Sequence, residues 1–401
     1  MADGIAITGS GLITALGTGT AVVHDALAAG ECGLRAPPDD DPRFARGVDP
    51  DPRNSAVFGG FVQGFRPAEL IRSKQLRRMD WFSRLILGAT RLAAEDAALP
   101  DVLATRPERV AIVTGSCFGP QRETAQYMNR VLDRGLASGQ PFLFPNLVLN
   151  AAAGWGAIEF DVQGANLTVS AHEASGESAL VAACDLLLAQ RADAVIVAAA
   201  EEFGDVLLDT LDDRRLLDPR VRGGAAPGSG NRTVVPGEAG VALILERASH
   251  ARARGAGAQA FVLGAELFGM PAHPHAFPDA ASVAERVDAW RKEISPRHAP
   301  TALFGGTCGG AARTAIDAEL SRICVSGQSV ELRASMGECP VHGLAAAALA
   351  AHTCARSTSS PLANPDAARN DPVPDQQILI VGAGRGGQIA PVLIGCDPSH
   401  S

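Results

Sequence analysis

Residues 166–190, NLTVSAHEASGESALVAACDLLLAQ, constrain the fold more than any other stretch of this chain. NLTVS predicts a short strand, EASGES a tight turn of small residues, and ALVAACDLLLAQ a helix that is apolar nearly all round. Because such a helix has no polar face to offer solvent, it is typical of the interior of a large domain. The sequence therefore predicts a buried helix that follows a strand through a sharp turn.

The turn has the sequence layout of a nucleophile elbow. A strand, a sharp turn and a helix together place one side chain at a helix N-terminus, where free N–H groups and the helix dipole favour negative charge. Ser or Cys is usual at such an apex. Here Glu173 stands there, with His172 before it and Ser175 after it. A carboxylate near an ordinary helix N-cap explains the same residues, and the turn alone does not separate the two interpretations.

Composition and charge exclude several classes of protein. The 401 residues suffice for two ordinary domains or one large pseudo-symmetric α/β unit, and 46% of them are hydrophobic. A net charge of −9 argues against nucleic acid as the main partner. No uncharged apolar run reaches membrane-spanning length, and the start, MADGIAITGSG, lacks the features of a signal peptide. We therefore expect a cytoplasmic protein with neither membrane nor nucleic acid as a partner.

The cysteine and histidine spacings predict no metal site and no cofactor. The eight cysteines contain no CxxC pair, and several lie in apolar runs, which favours reduced thiols over disulfides. PAHPH at residues 271–275 brings two histidines together without further ligands. GAGRGG at residues 382–387 has dinucleotide-motif spacing, but too little chain follows it for the required helix and second strand. It predicts a glycine-rich turn between two strands.

Strand and helix patterns alternate along the whole chain and predict an α/β fold with mostly parallel sheets in two halves of like topology. Residues 249–257 have the pattern of a basic turn, and Asp279 is a plausible N-cap. The predicted strands are residues 5–8, 109–114, 166–170, 194–200, 240–245, 260–267, 301–304, 377–381 and 392–395. The clearest predicted helices are residues 77–99, 124–132, 179–190, 280–293 and 342–354.

Taken together, the motifs resemble those of the β-ketoacyl-ACP synthases of fatty acid and type II polyketide synthesis. IAITGSGLITALG, RRMDWFSRLILGATRLAAEDA, RVAIVTGSCFG, GANLTVSAHEASG, VVPGEAGVALILE and GAGRGGQIA follow in that family's order over nearly the whole length. The resemblance implies a thiolase-like fold of two pseudo-symmetric halves in α-β-α-β-α layers. It places the half that carries the elbow at residues 1–245 and the other half at residues 246–401.

The departures from the family fall on its catalytic positions. Active members carry Cys in a T-A-C-x-S-G elbow, where this chain has Glu173. The first catalytic His lies in H-G-T-G-T, and the similar segment FGGTCGG places Gly306 there. The second lies in G-H-x-x-G, and MGECPVHG places Glu338 there. The phenylalanine of the family's last G-F-G-G loop corresponds to Arg385. The resemblance thus implies a pocket at His172, Glu173, Ser175 and Arg385 with no catalytic set intact.

These substitutions are incompatible with Claisen condensation. That reaction needs a thiolate to hold the acyl group and donors to stabilise the enolate formed on decarboxylation. Glu173 cannot form a stable thioester, and an ionised Glu338 would repel the enolate. The sequence therefore predicts that the chain does not condense acyl units on its own.

Three functions fit these expectations. The first is a chain-length factor of aromatic or polyene polyketide synthesis. Such a subunit is catalytically silent and forms a heterodimer with an active ketosynthase. It shapes the acyl tunnel that holds the growing chain carried by acyl carrier protein. The resemblance places the tunnel and interface candidates after RVAIVTG, at Cys117, Phe118, Gln121, Thr124 and Tyr127.

The other two functions differ in class. One is a malonyl-ACP decarboxylase or related enzyme that uses Glu173, with His172 or Glu338 nearby, in acid–base chemistry. The other is a non-catalytic scaffold on which acyl carrier protein docks. The sequence alone leaves all three open.

Overall fold

The computed structural model describes residues 3–36, 58–222, 234–305, 310–325, 329–356 and 376–396. Gly306, the first of the two degenerate histidine positions, lies outside these residues. Within them the strands are β1 (Ile5–Thr14), β2 (Gly17–Thr18), β3 (Val110–Gly115), β4 (Asn166–Val169), β5 (Ala194–Glu201), β6 (Ala239–Arg247), β7 (Ala260–Ala265), β8 (Phe268–Gly269), β9 (Ala302–Gly305), β10 (Ser329–Glu331), β11 (Gln377–Ala383) and β12 (Gln388–Gly395).

The helices alternate with these strands and cover both faces of the sheet. They are α1 (Thr20–Ala28), α2 (Pro67–Leu70), α3 (Trp81–Asp96), α4 (Leu99–Thr105), α5 (Gln121–Arg134), α6 (Ala151–Phe160), α7 (Ser175–Leu188), α8 (Asp205–Asp213), α9 (Ala248–Ala253), α10 (Ala280–Ile294), α11 (Gly310–Ser321), α12 (Leu332–Met336) and α13 (His342–Ala355).

The strand order shows the same topology twice. The path runs β10-β9-β11-β12-β7-β1-β6-β5-β3-β4. In the N-terminal half-sheet, β4, β3 and β5 are parallel, and β6 and β1 complete it antiparallel. In the C-terminal half-sheet, β10, β9 and β11 are parallel, and β12 and β7 are antiparallel. An antiparallel β1–β7 contact joins the halves. The prediction of two pseudo-symmetric halves is confirmed.

The prediction of mostly parallel sheets is wrong, because each half mixes parallel and antiparallel pairs. A strand that is covered on both faces is apolar throughout whichever way its neighbour runs. β6 and β12 are antiparallel to their neighbours and are buried almost from end to end. The apolar runs therefore identified buried strands without encoding their direction.

Five layers build the molecule. The central layer holds α7, which packs on β3 and β5 on one side and on β11 and β12 on the other, and α13, which packs on β1, β6, β11 and β12. α3 and α6 cover the outer face of the N-terminal half-sheet, and α10 and α11 cover that of the C-terminal half-sheet. The predicted α-β-α-β-α arrangement is thus confirmed, and the apolar α7 lies at its centre because both of its sides face a sheet.

Local sequence signals explain where two of these helices begin. The Asp80 carboxylate accepts the backbone N–H of Ser83 at 2.6 Å, so α3 starts at Trp81 rather than at residue 77. Asp279 accepts the backbone N–H of Ser282 at 2.9 Å and caps α10, as predicted. Residues 249–257, predicted as a turn, instead contribute to the short helix α9.

A disulfide joins Cys354, in the last turn of α13, to Cys396, just after β12. The sequence predicted reduced thiols. The two cysteines are 42 residues apart in the chain, but packing of α13 against β12 brings their Cα atoms to 5.0 Å. Such proximity is a property of the tertiary fold, and cysteine spacing in the sequence does not show it.

Candidate active site

The turn between β4 and α7 is sharp and is held by hydrogen bonds within itself. His172 has a φ of +50°, in the left-handed region that is uncommon for residues other than glycine. The Ser175 hydroxyl donates to the carbonyl of His172 at 2.6 Å and accepts the N–H of Ala171 at 3.0 Å. The strained residue before the apex, fixed by Ser175, turns the side chain of Glu173 inward, where it is buried.

Glu173 pairs with Arg385, which lies in the loop between β11 and β12. One carboxylate oxygen accepts the backbone N–H of Arg385 at 3.0 Å, and the other accepts from its guanidinium. Among the described residues, these are the hydrogen bonds that the Glu173 carboxylate makes. The sequence suggested that the helix N-terminus stabilises the Glu173 carboxylate. In the structure its partner is instead the positively charged Arg385, 212 positions away in the chain.

A cavity of about 390 Å³ opens at this ion pair. Its wall combines carboxylates with apolar side chains, so it can hold a small, largely apolar molecule. The lining includes Phe118, Glu173, Glu201, Glu202, Phe203, Leu207, Leu211, Leu216, Val234, Pro236, His275, Phe277, Glu338, Pro340 and Arg385. The structure therefore brings Glu173, Glu338 and Arg385 together.

Glu338 is buried and caps a helix. One of its carboxylate oxygens accepts the N–H of Gly310, the first residue of α11, at 3.1 Å. Its own N–H donates to the carbonyl of Val235 at 2.6 Å. A carboxylate at a helix N-terminus is favoured by the free N–H groups there. The side chain thus has a structural partner at the position where the family resemblance implies an imidazole.

Glu201 and Glu202 line the same cavity, although neither was predicted as a site residue from the sequence. Glu201 accepts the N–H groups of Cys117 and Phe118 and the hydroxyl of Ser116. Burial raises the pKa of Glu201 to about 7, against these hydrogen bonds, which lower it. Glu202 accepts the N–H of Arg122 at 2.9 Å, and burial raises its pKa to about 8. The sequence feature that could have identified them is the pair of glutamates directly after the apolar run AVIVAAA.

The predicted tunnel residues separate into two groups. Phe118 lines the cavity, and Cys117 adjoins it through the shared contact with Glu201. Gln121, Thr124 and Tyr127 lie half-buried on α5 and are absent from the described lining. Burial, helped by the Glu201 and Glu173 carboxylates, raises the pKa of the Cys117 thiol. That thiol stays protonated and cannot replace a missing nucleophile.

The histidines do not form a catalytic set among the described residues. His172 is exposed and does not line the cavity. His342 is fully buried on α13, and burial lowers its pKa to about 3. Its two ring nitrogens have no hydrogen-bond partner in the described structure. His275 does reach the cavity, although the sequence placed it in a solvated loop.

The described residues hold no group of three or more His, Cys, Asp and Glu side chains that could bind a metal ion. Within the same residues, no helix combines the length and apolar character needed to cross a membrane.

The family is shown by sequence comparison. Residues 2–251 match the family described as "Beta-ketoacyl synthase, N-terminal domain". This match covers more than half of the chain, and the protein therefore belongs to the β-ketoacyl synthase family.

Curated relatives share part of the chain. The 3-oxoacyl-[acyl-carrier-protein] synthase 2 of Coxiella burnetii is 26% identical over 273 residues, and that of Vibrio cholerae is 26% identical over 278 residues. Each match takes in 66% of this chain and 62% of the relative. The matched region thus spans less than two thirds of these relatives' own length.

Solved structures with the same fold match the chain almost completely. The ishigamide ketosynthase/chain length factor and a beta-ketoacyl synthase from Burkholderia phymatum both have a TM-score of 0.79 at 21% identity. Each alignment covers 98% of this chain and 99% of the other. A type II polyketide synthase acyl-carrier protein in complex with its ketosynthase matches with a TM-score of 0.73 at 17% identity. These similarities establish the thiolase-like ketosynthase fold.

Proposed function

We propose that this protein is a chain-length factor: a ketosynthase-like subunit that does not condense acyl units itself but pairs with an active ketosynthase and shapes its acyl tunnel in type II polyketide synthesis. The observation that carries the proposal is the Glu173–Arg385 ion pair at the apex of the elbow. A carboxylate whose two oxygens are held by Arg385 can neither carry an acyl chain as a thioester nor bind one there.

The groups around the elbow support the same conclusion. Burial raises the pKa of both the Cys117 and the Cys339 thiols, so neither supplies a thiolate near neutral pH. Glu338 presents a carboxylate where an enolate would need a hydrogen-bond donor. A decarboxylase that uses Glu173 would need the same donor, and no contact in the described structure favours that alternative.

An exposed apolar surface supports pairing with a second subunit. β4 ends the sheet and pairs on one side with β3, so its other edge is open to strand pairing. Exposed apolar side chains continue from β4 over α6 and the segment before it to α5. We call this surface the partner face; it consists of Met128, Leu132, Leu136, Phe142, Phe144, Val148, Ile158 and Leu167. An apolar patch of this kind is typical of a protein interface.

The partner face also explains the position of three predicted tunnel residues. Gln121, Thr124 and Tyr127 lie on α5, the helix that carries Met128 and Leu132 of the face. Their position on the same helix supports a contribution to a tunnel that crosses the interface, rather than to the cavity within this subunit.

A cationic segment beside the partner face suits an acidic carrier protein. Five exposed basic residues lie within residues 66–78, namely Arg66, Arg72, Lys74, Arg77 and Arg78. The Asn146 side chain donates to the carbonyl of Arg78, which ties this segment to the region of Phe144. Arg66 and Arg72 pair with Glu69 and Glu95, but the segment keeps a net positive charge. Such a charge attracts a negatively charged partner through the field it creates. Carrier-protein docking is thus part of the proposal and does not require a separate scaffold role.

Co-expression with the ketosynthase encoded nearest to this gene, provided that enzyme carries Cys and two His, tests the proposal. We expect a 1:1 heterodimer that makes polyketide from malonyl-loaded carrier protein, while the chain alone makes none. We further expect Thr124→Trp to shorten the product by filling the tunnel, whereas Thr210→Trp, an exposed change on α8, leaves its length unchanged. A chain that forms only homodimers, or that releases acetyl-carrier protein by itself, would contradict the proposal.

A further inference from the structure

The loop between β11 and β12, residues 384–387, carries one side chain among three glycines. Gly386 and Gly387 have φ values of +84° and +92°, which a residue with a Cβ rarely adopts. A glycine-rich loop has many accessible conformations, because no side chain restricts its backbone. The contacts of Arg385 therefore largely determine the conformation of this loop.

Arg385 connects the elbow to a second segment. Its backbone N–H and its guanidinium both bind the Glu173 carboxylate. The same guanidinium lies over the ring of Phe277, 5.2 Å from the ring centroid, in a cation–π contact. One side chain thus joins the turn before α7 to residues 270–277, the segment after β8.

Backbone contacts tie the loop and residues 270–277 into one unit. The N–H of Gly386 donates to the carbonyl of Ala276 at 3.1 Å, and the N–H of Met270 donates to the carbonyl of Gly387 at 2.8 Å. The approach at Gly387 leaves no room for a side chain, since a Cβ there would lie 1.9 Å from the Met270 oxygen. These contacts couple the two segments, so that a displacement of one disturbs the hydrogen bonds of the other.

This unit covers one side of the cavity. His275, Ala276, Phe277 and Arg385 all contribute to the cavity wall together with Glu173. The Arg385 side chain is 39% exposed, whereas that of Glu173 is 5% exposed. Arginine therefore forms the outer half of the pair and glutamate the inner half, so the pair spans the distance from solvent to the buried elbow.

We infer that the Glu173–Arg385 ion pair is a latch that keeps the 384–387 loop and residues 270–277 closed over the cavity, so that thioester-bound chains are excluded from this subunit's own elbow. The exclusion of thioesters rests on the proposed function, whereas the latch does not. In the heterodimer, the acyl chain is then loaded only on the partner, because the equivalent entrance in this subunit is shut.

Hydrogen–deuterium exchange on the purified chain tests the latch directly. Glu173→Gln keeps the size of the side chain and removes its charge, and Arg385→Met removes the charge of its partner. We expect peptides that cover residues 268–278 and 384–388 to exchange about tenfold faster in either variant, with the rest of the sheet unchanged. Arg322→Met is the matched control, because it breaks an exposed ion pair with Glu319 on α11.

The double variant Glu173→Gln/Arg385→Met distinguishes a latch from two independent effects. If the residues act as a pair, the double variant exchanges no faster than either single variant. Additive effects, or unchanged exchange in both peptides, would overturn the inference. Should Arg385→Met fail to fold, Arg385→Gln replaces it, since glutamine removes the charge but keeps a polar side chain.

Binding of a neutral apolar dye, N-phenyl-1-naphthylamine, measures closure. We expect the latch variants to bind the dye about tenfold faster than the natural chain and the Arg322→Met control, because opening gives access to the cavity. All four proteins keep the partner face, so dye bound there cancels in the comparison. Equal binding rates would show that the pair does not close the cavity. Neither result depends on heterodimer formation, so failure of the latch and failure of the proposed function are distinguishable.

Discussion

Glu177 carries a carboxyl group into the core of the molecule. It lies on α7, against Gly343 of α13 and Gly382 of β11, where added Cβ atoms would overlap it. Neither of its oxygens has a hydrogen-bond partner among the described residues. Burial raises its pKa to about 7, and the nearby Asp317 carboxylate acts in the same direction, whereas Arg313 opposes them. The group is therefore about half protonated in the folded protein near pH 7 and mostly protonated below it.

Glu177→Gln should stabilise the protein at high pH. The folded pKa of about 7 exceeds the ordinary value of 4.5, so the wild-type chain is most stable below the lower value and loses stability as pH rises through the upper one. Glutamine keeps the size without the charge, and the gain should approach roughly 3 kcal/mol above pH 8 and vanish near pH 4. Urea unfolding at several pH values measures it.

The control for Glu177→Gln is Glu69→Gln on the surface helix α2, which should change stability by less than about 0.5 kcal/mol at every pH. A stability difference between Glu177→Gln and the natural chain that does not vary with pH would show that the carboxyl group does not titrate in the folded state.

At the next scale, the contact between β1 and α3 depends on the absence of side chains on the strand. Gly9 and Gly11 face α3 so closely that a Cβ on Gly11 would lie 2.2 Å from the carbonyl oxygen of Ala89. Both glycines sit in a strand whose residues are buried throughout. Here glycine serves close packing of a helix on a sheet and not a turn.

Gly11→Ala should therefore destabilise the fold, because α3 must shift away from the sheet to admit a methyl group. The expected loss is about 1–3 kcal/mol, in the range of overpacking in a tight core. Thermal unfolding followed by circular dichroism measures the change. Gly154→Ala on α6 is the control, since its Cβ would meet open space and alanine favours helix by about 1 kcal/mol. Equal melting temperatures for the two variants would contradict the prediction.

The elements also show how far local sequence predicts secondary structure. The apolar strands and the helices with clear caps, such as α10, were predicted near their observed positions. α8 and α11 were not, because α8 begins after Gly204 without a capping side chain and α11 begins in a glycine-rich segment. Both helices are stabilised by packing on neighbouring elements, which outweighs weak local signals.

At the scale of the whole molecule, the partner face should control assembly. Leu132 and Ile158 are 75% and 69% exposed in the single chain, on α5 and α6 respectively. Leu132→Asp and Ile158→Asp should each abolish co-purification with the ketosynthase, because a buried unpaired charge is strongly unfavourable in an interface. Size-exclusion chromatography of the co-expressed chains measures how much heterodimer forms.

Val325→Asp is the matched control for assembly, since Val325 is 74% exposed but lies beyond α11, in the C-terminal half. It should leave the heterodimer intact. Loss of pairing in all three variants would indicate general misfolding, and retained pairing in Leu132→Asp and Ile158→Asp would place the interface elsewhere.

Local sequence patterns predicted most of the strands and helices, their burial and the unusual residues of the site. Periodicity indicated a buried helix after a tight turn. The residue identities showed Glu173 at the apex of that turn, Glu338 in MGEC and Arg385 among glycines. These are local properties, since each depends on residues within a few positions of one another. The order of motifs along the chain was sufficient to predict the fold.

The contacts between these residues depend on the tertiary fold. Glu173 and Arg385 are 212 positions apart, and no periodicity predicts that a loop after β11 returns to the turn before α7. The same holds for Glu201, which binds the loop after β3, and for Glu338, which caps α11. Long-range contacts arise when half-sheets close around a common helical layer, so the partner of each buried charge is a property of the whole fold.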